Sequence, residues 1–99
     1  MRIISYKTLR EASQKYSNLQ QSLDDWYRIA KASNWRNIND IRQVFPHADS
    51  AGNFTIFNIK GNRYRLITGI DYEKAIIFIK YVLTHAEYSK EDWKNDPHF

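Results

Sequence analysis

Residues 54–84 read FTIFNIKGNRYRLITGIDYEKAIIFIKYVLT, and this stretch decides the fold. Phe54–Lys60 alternates apolar and polar residues and is rich in Phe, Ile and Thr, as strands are. Gly61-Asn62 is a two-residue hairpin signal. Arg63–Ile70 reads as the return strand, Asp71–Lys74 as a polar turn, and Ala75–Thr84 as a nearly unbroken apolar run suited to a central strand covered on both faces. Three successive antiparallel strands therefore form the second half of the chain.

Upstream the periodicity is helical. Arg2–Ser5 reads as a short opening strand. Leu9, Ala12 and Tyr16 line one face of a helix over Thr8–Tyr16. Leu19, Leu23, Trp26, Tyr27 and Ala30 make the stripe of a second helix over Leu19–Ser33. A third, short helix spans Ile38–Phe45, capped by Asn37 and stopped by Pro46. His47–Asn53 reads as a loop, and Ser89-Lys90-Glu91-Asp92 as a capping box opening a terminal helix around Trp93. The expected architecture is α+β: one domain over residues 1–99, β-α-α-β-β-β with a short C-terminal helix, in which an N-terminal strand and two to three helices pack on a mostly antiparallel sheet.

The chain of 99 residues is 42% hydrophobic and 26% charged, ordinary values for a globular domain. It has no cysteine, which excludes disulfides and thiolate metal sites. Its three histidines lack the spacing of a metal site. Its glycines form no nucleotide-binding motif, so neither metal nor cofactor is expected. No run approaches a signal peptide or a membrane span, and the expected location is the cytoplasm, away from membranes. The net charge of +4 points to a polyanionic partner only if the positive charges cluster.

Strand register tests for clustering. A turn at Gly61-Asn62 pairs Lys60 with Arg63 and Asn58 with Arg65. A turn at Asp71–Lys74 pairs Ile70 with Ala75, Arg65 with Lys80, and Arg63 with Val82. One sheet face then carries Asn58, Lys60, Arg63, Arg65, Lys80 and Thr84 at one end, and Phe54, Ile56, Ile67, Ile76 and Phe78 at the other. The opposite face holds Phe57, Ile59, Tyr64, Leu66, Ile77, Ile79, Tyr81 and Leu83, enough to seat the helices. Like charges directly across a ladder are unfavourable, and a phosphate backbone lying across these strands would relieve the conflict between Arg65 and Lys80. Solubilising charges on a wet sheet face give the same pattern. In this register Thr84 lies opposite Gly61, which sets His85 and Tyr88 beside the basic hairpin tip. Histidine is the usual acid or base near neutrality, and tyrosine can serve where cations lower its pKa. A histidine in this position is also a common structural hydrogen-bonder.

Val44-Phe45-Pro46, the hairpin Asn58-Ile59-Lys60-Gly61-Asn62-Arg63-Tyr64-Arg65-Leu66-Ile67, and Thr84-His85-Ala86-Glu87-Tyr88 together resemble the HigB family of type II toxins, within the wider RelE/ParE group. The resemblance spans almost the whole chain. It implies an mRNA endonuclease, in many relatives active on the ribosome, neutralised by a HigA-like helix-turn-helix antitoxin. It implies acid–base roles for His85 and Tyr88, with Lys80 counted in the catalytic set. Lys60 and Arg65 become phosphate contacts, joined by Arg63 from the basic face and Lys7 before the first helix. Many such chains carry aspartate directly after the tyrosine, where this one has Ser89. Two other classes stay open: a ParE-like topoisomerase inhibitor of the same fold, and a non-enzymatic RNA-binding module.

Overall fold

A computed structural model describes all residues, Met1–Phe99. The order is β1 (Arg2–Ile4), α1 (Tyr6–Lys15), a 3-10 turn (Ser17–Leu19), α2 (Gln20–Ala32), α3 (Ile38–Arg42), β2 (Asp49–Ala51), β3 (Phe54–Ile59), β4 (Tyr64–Asp71), β5 (Ile76–Thr84), α4 (His85–Ser89) and a second 3-10 turn (Asp92–Asn95). The sheet runs β1-β5-β4-β3-β2, antiparallel except where β1 lies parallel to β5. The expected α+β class is the one found. No helix is long and apolar enough to cross a membrane.

The helical stripes seat as their spacing predicts. Leu9 and Ala12 of α1, and Leu23, Trp26 and Ala30 of α2, are buried against Phe57, Ile59, Leu66, Ile77 and Ile79 of the sheet. Asn37 caps α3 by accepting from the Asp40 amide at 3.0 Å. Lys60 and Gly61 adopt positive φ, 53° and 67°, and the β3–β4 hairpin closes through a four-residue loop, Lys60–Arg63. Its expected register holds, with Asn58 opposite Arg65, but the turn is longer than the two residues expected and leaves Lys60 and Arg63 unpaired.

Three further expectations fail. The segment read as a loop contains β2, which pairs Ala51 with Phe54; three residues are too few for alternation to show. The capping box belongs to Thr84 and Glu87 at the start of α4, and only a 3-10 turn forms around Trp93. The β4–β5 register also differs. Ile70 pairs with Ile77, not Ala75, because the turn falls one residue later, at Tyr72–Ala75. A bulge between Ile67 and Thr68 in the pairing then leaves Lys80 as the extra residue on β5. Arg65 consequently faces Leu83, not Lys80, and Thr84 faces Tyr64, not Gly61. Past the bulge the alternation inverts. Tyr81 and Leu83 leave the helical side, and Val82 packs into the helical core in their place.

The other face of the sheet is covered by the chain's own C-terminal segment. Trp93 buries itself on Phe54, Ile56 and Ile67, with Phe99 packed beside it. The amide of Asn53 donates to the Phe99 carbonyl at 2.9 Å, fixing the end of the segment to the β2–β3 turn. That turn needs a glycine twice over: Gly52 has φ of 56°, and a Cβ there would stand 2.6 Å from the Phe99 carbonyl oxygen.

Candidate active site at the hairpin end of the sheet

The end of β5 is bent into α4 by a reciprocal cap. Thr84 Oγ1 accepts from the Glu87 amide at 3.2 Å, and Glu87 Oε1 accepts from the Thr84 amide at 2.9 Å. The bond from the Thr84 amide, with Lys15 and Lys90 nearby, holds the Glu87 carboxyl below its ordinary pKa. The His85 amide meanwhile donates to the Arg63 carbonyl at 2.9 Å. The cap and this ladder bond set His85 against the β3–β4 hairpin. His85 and Tyr88 are three residues apart on α4, so their side chains are neighbours on one helical face.

The two side chains differ in setting. His85 is exposed, and its Nδ1 lies 3.3 Å from Ser89 Oγ. Tyr88 is half-buried, its ring stacked on the Trp93 indole at 5.2 Å and 9°. The Trp93 Nε1 donates to the Tyr88 carbonyl at 2.9 Å, so one residue fixes both the ring and the backbone of the tyrosine. The Arg65 guanidinium lies 5.2 Å from the centre of the same ring.

Arg65 is 8% exposed. Its Nη1 donates to the carbonyls of Asn62 and Tyr64 at 3.0 and 3.2 Å, and its Nη2 donates to Asn62 Oδ1. It forms no ion pair. A buried guanidinium without a carboxylate keeps its positive potential for the space around Tyr88. Arg63, next along the hairpin, is exposed and unpaired.

The other candidate residues lie elsewhere. Lys60 is at the hairpin tip, but its Nζ donates to the Asn18 carbonyl at 3.1 Å, toward the helical layer. Lys7 is exposed on the first turn of α1 and pairs with Glu11 at 3.6 Å. Lys80 lies five residues before His85 on β5, roughly 16 Å along the strand. There its Nζ meets Asp96 Oδ2 at 3.3 Å. Tyr81 donates to the same carboxylate at 2.6 Å. Donation from Tyr81 and from the His98 amide holds the Asp96 carboxyl well below the usual carboxylate range, and the same contact pushes the Tyr81 hydroxyl up. The structure thus gathers His85, Tyr88, Arg65 and Arg63 at one end and leaves Lys80, Lys7 and Lys60 outside that group.

Asn62 and Asp96 were not foreseen as parts of this face. Asn62 reads in sequence as a turn residue, and Asp96 carries no local signal. No group of three or more His, Asp or Glu side chains comes together to hold a metal.

The chain is similar to known proteins over nearly its full length. A family model described as "HigB_toxin, RelE-like toxic component of a toxin-antitoxin system" matches residues 19–91. An mRNA interferase HigB of Escherichia coli O6:H1 is 30% identical over 93 residues, covering 91% of this chain and 90% of that protein. An mRNA interferase toxin HigB of Escherichia coli strain K12 is 26% identical over 91 residues, covering 89% and 88% respectively. An mRNA interferase HigB of Shigella flexneri matches to the same extent, 26% over 91 residues.

Proposed function

This chain belongs to the HigB family of RelE-like toxins of toxin–antitoxin systems, and on that premise we propose that it is a cytoplasmic endoribonuclease. It cuts mRNA on the translating ribosome by metal-independent acid–base chemistry and is silenced by a HigA-like helix-turn-helix antitoxin. The observation that carries the catalytic reading is the convergence of His85, Tyr88 and the uncompensated Arg65 at the hairpin end of the sheet.

The reaction needs three things. A base takes the proton of the ribose 2′-hydroxyl as O2′ attacks phosphorus. An acid gives a proton to O5′ as the P–O5′ bond breaks. A cation stabilises the charge on the phosphorane between them. His85 and Tyr88 share the two proton transfers. Arg65 attracts the phosphate, while Arg63 and Lys60 on the hairpin hold the neighbouring backbone. Lys80 and Lys7 contact phosphates further along the strand.

The deciding experiment is cleavage of a translated mRNA by the purified protein, with and without EDTA. Cleavage that persists in EDTA and leaves 2′,3′-cyclic phosphate ends is expected. An intact message with stalled topoisomerase instead would replace this reading with that of a non-nuclease toxin.

A further inference from the structure

The sheet face under the C-terminal segment is covered only in part. Register places Ala51, Phe54, Gly69, Phe78 and Ile4 in one row across all five strands. Trp93 and Phe99 cover the Phe54 end, which is 2% exposed. The Phe78 end stays open, with that ring 41% exposed. Between the two aromatics stands Gly69, where a Cβ would meet nothing within 4 Å. The missing side chain makes a notch, the floor of an open groove of about 460 Å³ whose walls include Asn53, Asp71, Lys80 and His98.

We propose that the Gly69–Phe78 notch is a nucleobase subsite for single-stranded RNA, several nucleotides from the cleaved phosphodiester. The proposal rests on the endoribonuclease reading and extends it to substrate recognition. Phe78 offers an exposed aromatic ring, and base stacking on such rings, as in single-strand-binding proteins, is sequence-tolerant. Asn53, Asp71 and His98 stand around it as donors and acceptors for a base edge. Lys80, the bulge residue, lies on this wall between the notch and the hairpin end, its Nζ held 3.3 Å from Asp96 Oδ2. A protein partner fits the notch less well. Stable protein interfaces bury about 800 Å² on each side, and a groove built around one exposed ring suffices for one base but not for such a contact.

The test uses the full chain and a fluorescein-labelled 12-nucleotide RNA of mixed sequence with 2′-O-methyl riboses, which cannot be cut through its 2′-oxygen. Phe78→Ala removes the platform, and Gly69→Leu fills the notch without touching the ring. Each should weaken binding about 5- to 100-fold, with thermal unfolding checked to confirm that the fold survives. A scan of single abasic positions along the RNA should find one that weakens binding to the wild-type protein and has no further effect on Phe78→Ala. If both folded variants bind as tightly as wild type, or if abasic losses are the same in wild type and Phe78→Ala, the proposal is overturned and the exposed ring is left to a protein partner. Cleavage of translated mRNA, run in parallel, separates the two levels. Wild type and both variants that cut alike and bind alike remove only the subsite, whereas a wild-type protein that never cuts removes the endoribonuclease reading beneath it.

Discussion

The guanidinium of Arg65 lies against the ring of Tyr88, 5.2 Å from its centre, with its donors anchored on Asn62 and Tyr64 and no carboxylate paired to it. This relationship replaces the conflict between Arg65 and Lys80 that the expected register implied. Relief of that repulsion would have let Arg65→Ala fold as well as the parent. With Arg65 buried and hydrogen-bonded, the expectation reverses. Arg65→Ala should lose about 1–3 kcal/mol of stability, measured by urea unfolding, and should lose RNA cleavage with it. Arg65→Lys, which keeps the charge but not the forked donors, should recover little of either.

Tyr88→Phe keeps the stack on Trp93 and the contact with Arg65 and removes only the hydroxyl. Cleavage should fall by about 10²–10⁴-fold while the melting temperature stays unchanged. His85→Ala should behave likewise, since its ring is exposed and its ladder bond is made by the backbone. A Tyr88→Phe protein that cuts at the parental rate takes tyrosine out of the proton transfers.

Arg63 has no partner to lose. Arg63→Ala should leave stability untouched and flatten the dependence of log K on log[salt] by about one phosphate contact in an RNA-binding titration. Lys7→Ala and Lys60→Ala bear on the same set. A slope unchanged in all three would mean that the cations serve solubility alone.

Asp96 gives the C-terminal segment an acid limit. Its folded pKa lies below the ordinary value of 3.8, first because Tyr81 donates to it. A carboxylate with a depressed folded pKa contributes stability that is fully present above the unfolded value and is lost as pH falls through the folded one. Stability from this contact should therefore be flat between pH 5 and 7 and decline below about pH 4. Asp96→Asn should flatten that acid decline, read as melting temperature against pH. An equally steep decline in the asparagine variant would place the acid sensitivity in another group, such as Glu87.

Trp93 bridges the sheet and the active end, buried on Phe54, Ile56 and Ile67 and stacked on Tyr88. Trp93→Ala should cost about 3–5 kcal/mol. Trp93→Phe, which keeps an aromatic but loses the bond to the Tyr88 carbonyl, should fold and cut more slowly with a changed pH–rate profile. A profile identical to wild type would make Trp93 a core residue only.

Local sequence alone determined the helical stripes, the Asn37 cap, the β3–β4 hairpin with Asn58 opposite Arg65, and hence the α+β class. Each rests on contacts a few residues apart, where periodicity and turn chemistry leave little choice. The cap that holds His85 and Tyr88 on one helical turn is equally local, but it is formed by Thr84 and Glu87 and not, as expected, at Ser89–Asp92. Tertiary structure decided the rest of the face. The run Ile79-Lys80-Tyr81-Val82 reads equally well in either phase, so nothing local reveals that Lys80 is an inserted residue or that the alternation inverts after it. Nor does local sequence show how Trp93, Asp96 and Phe99 seat on residues from 15 to 46 positions earlier. That packing buries Phe54, occupies Lys80 and leaves Gly69 and Phe78 open, because Phe99 anchors the segment on the β2–β3 turn, at the Phe54 side of the face.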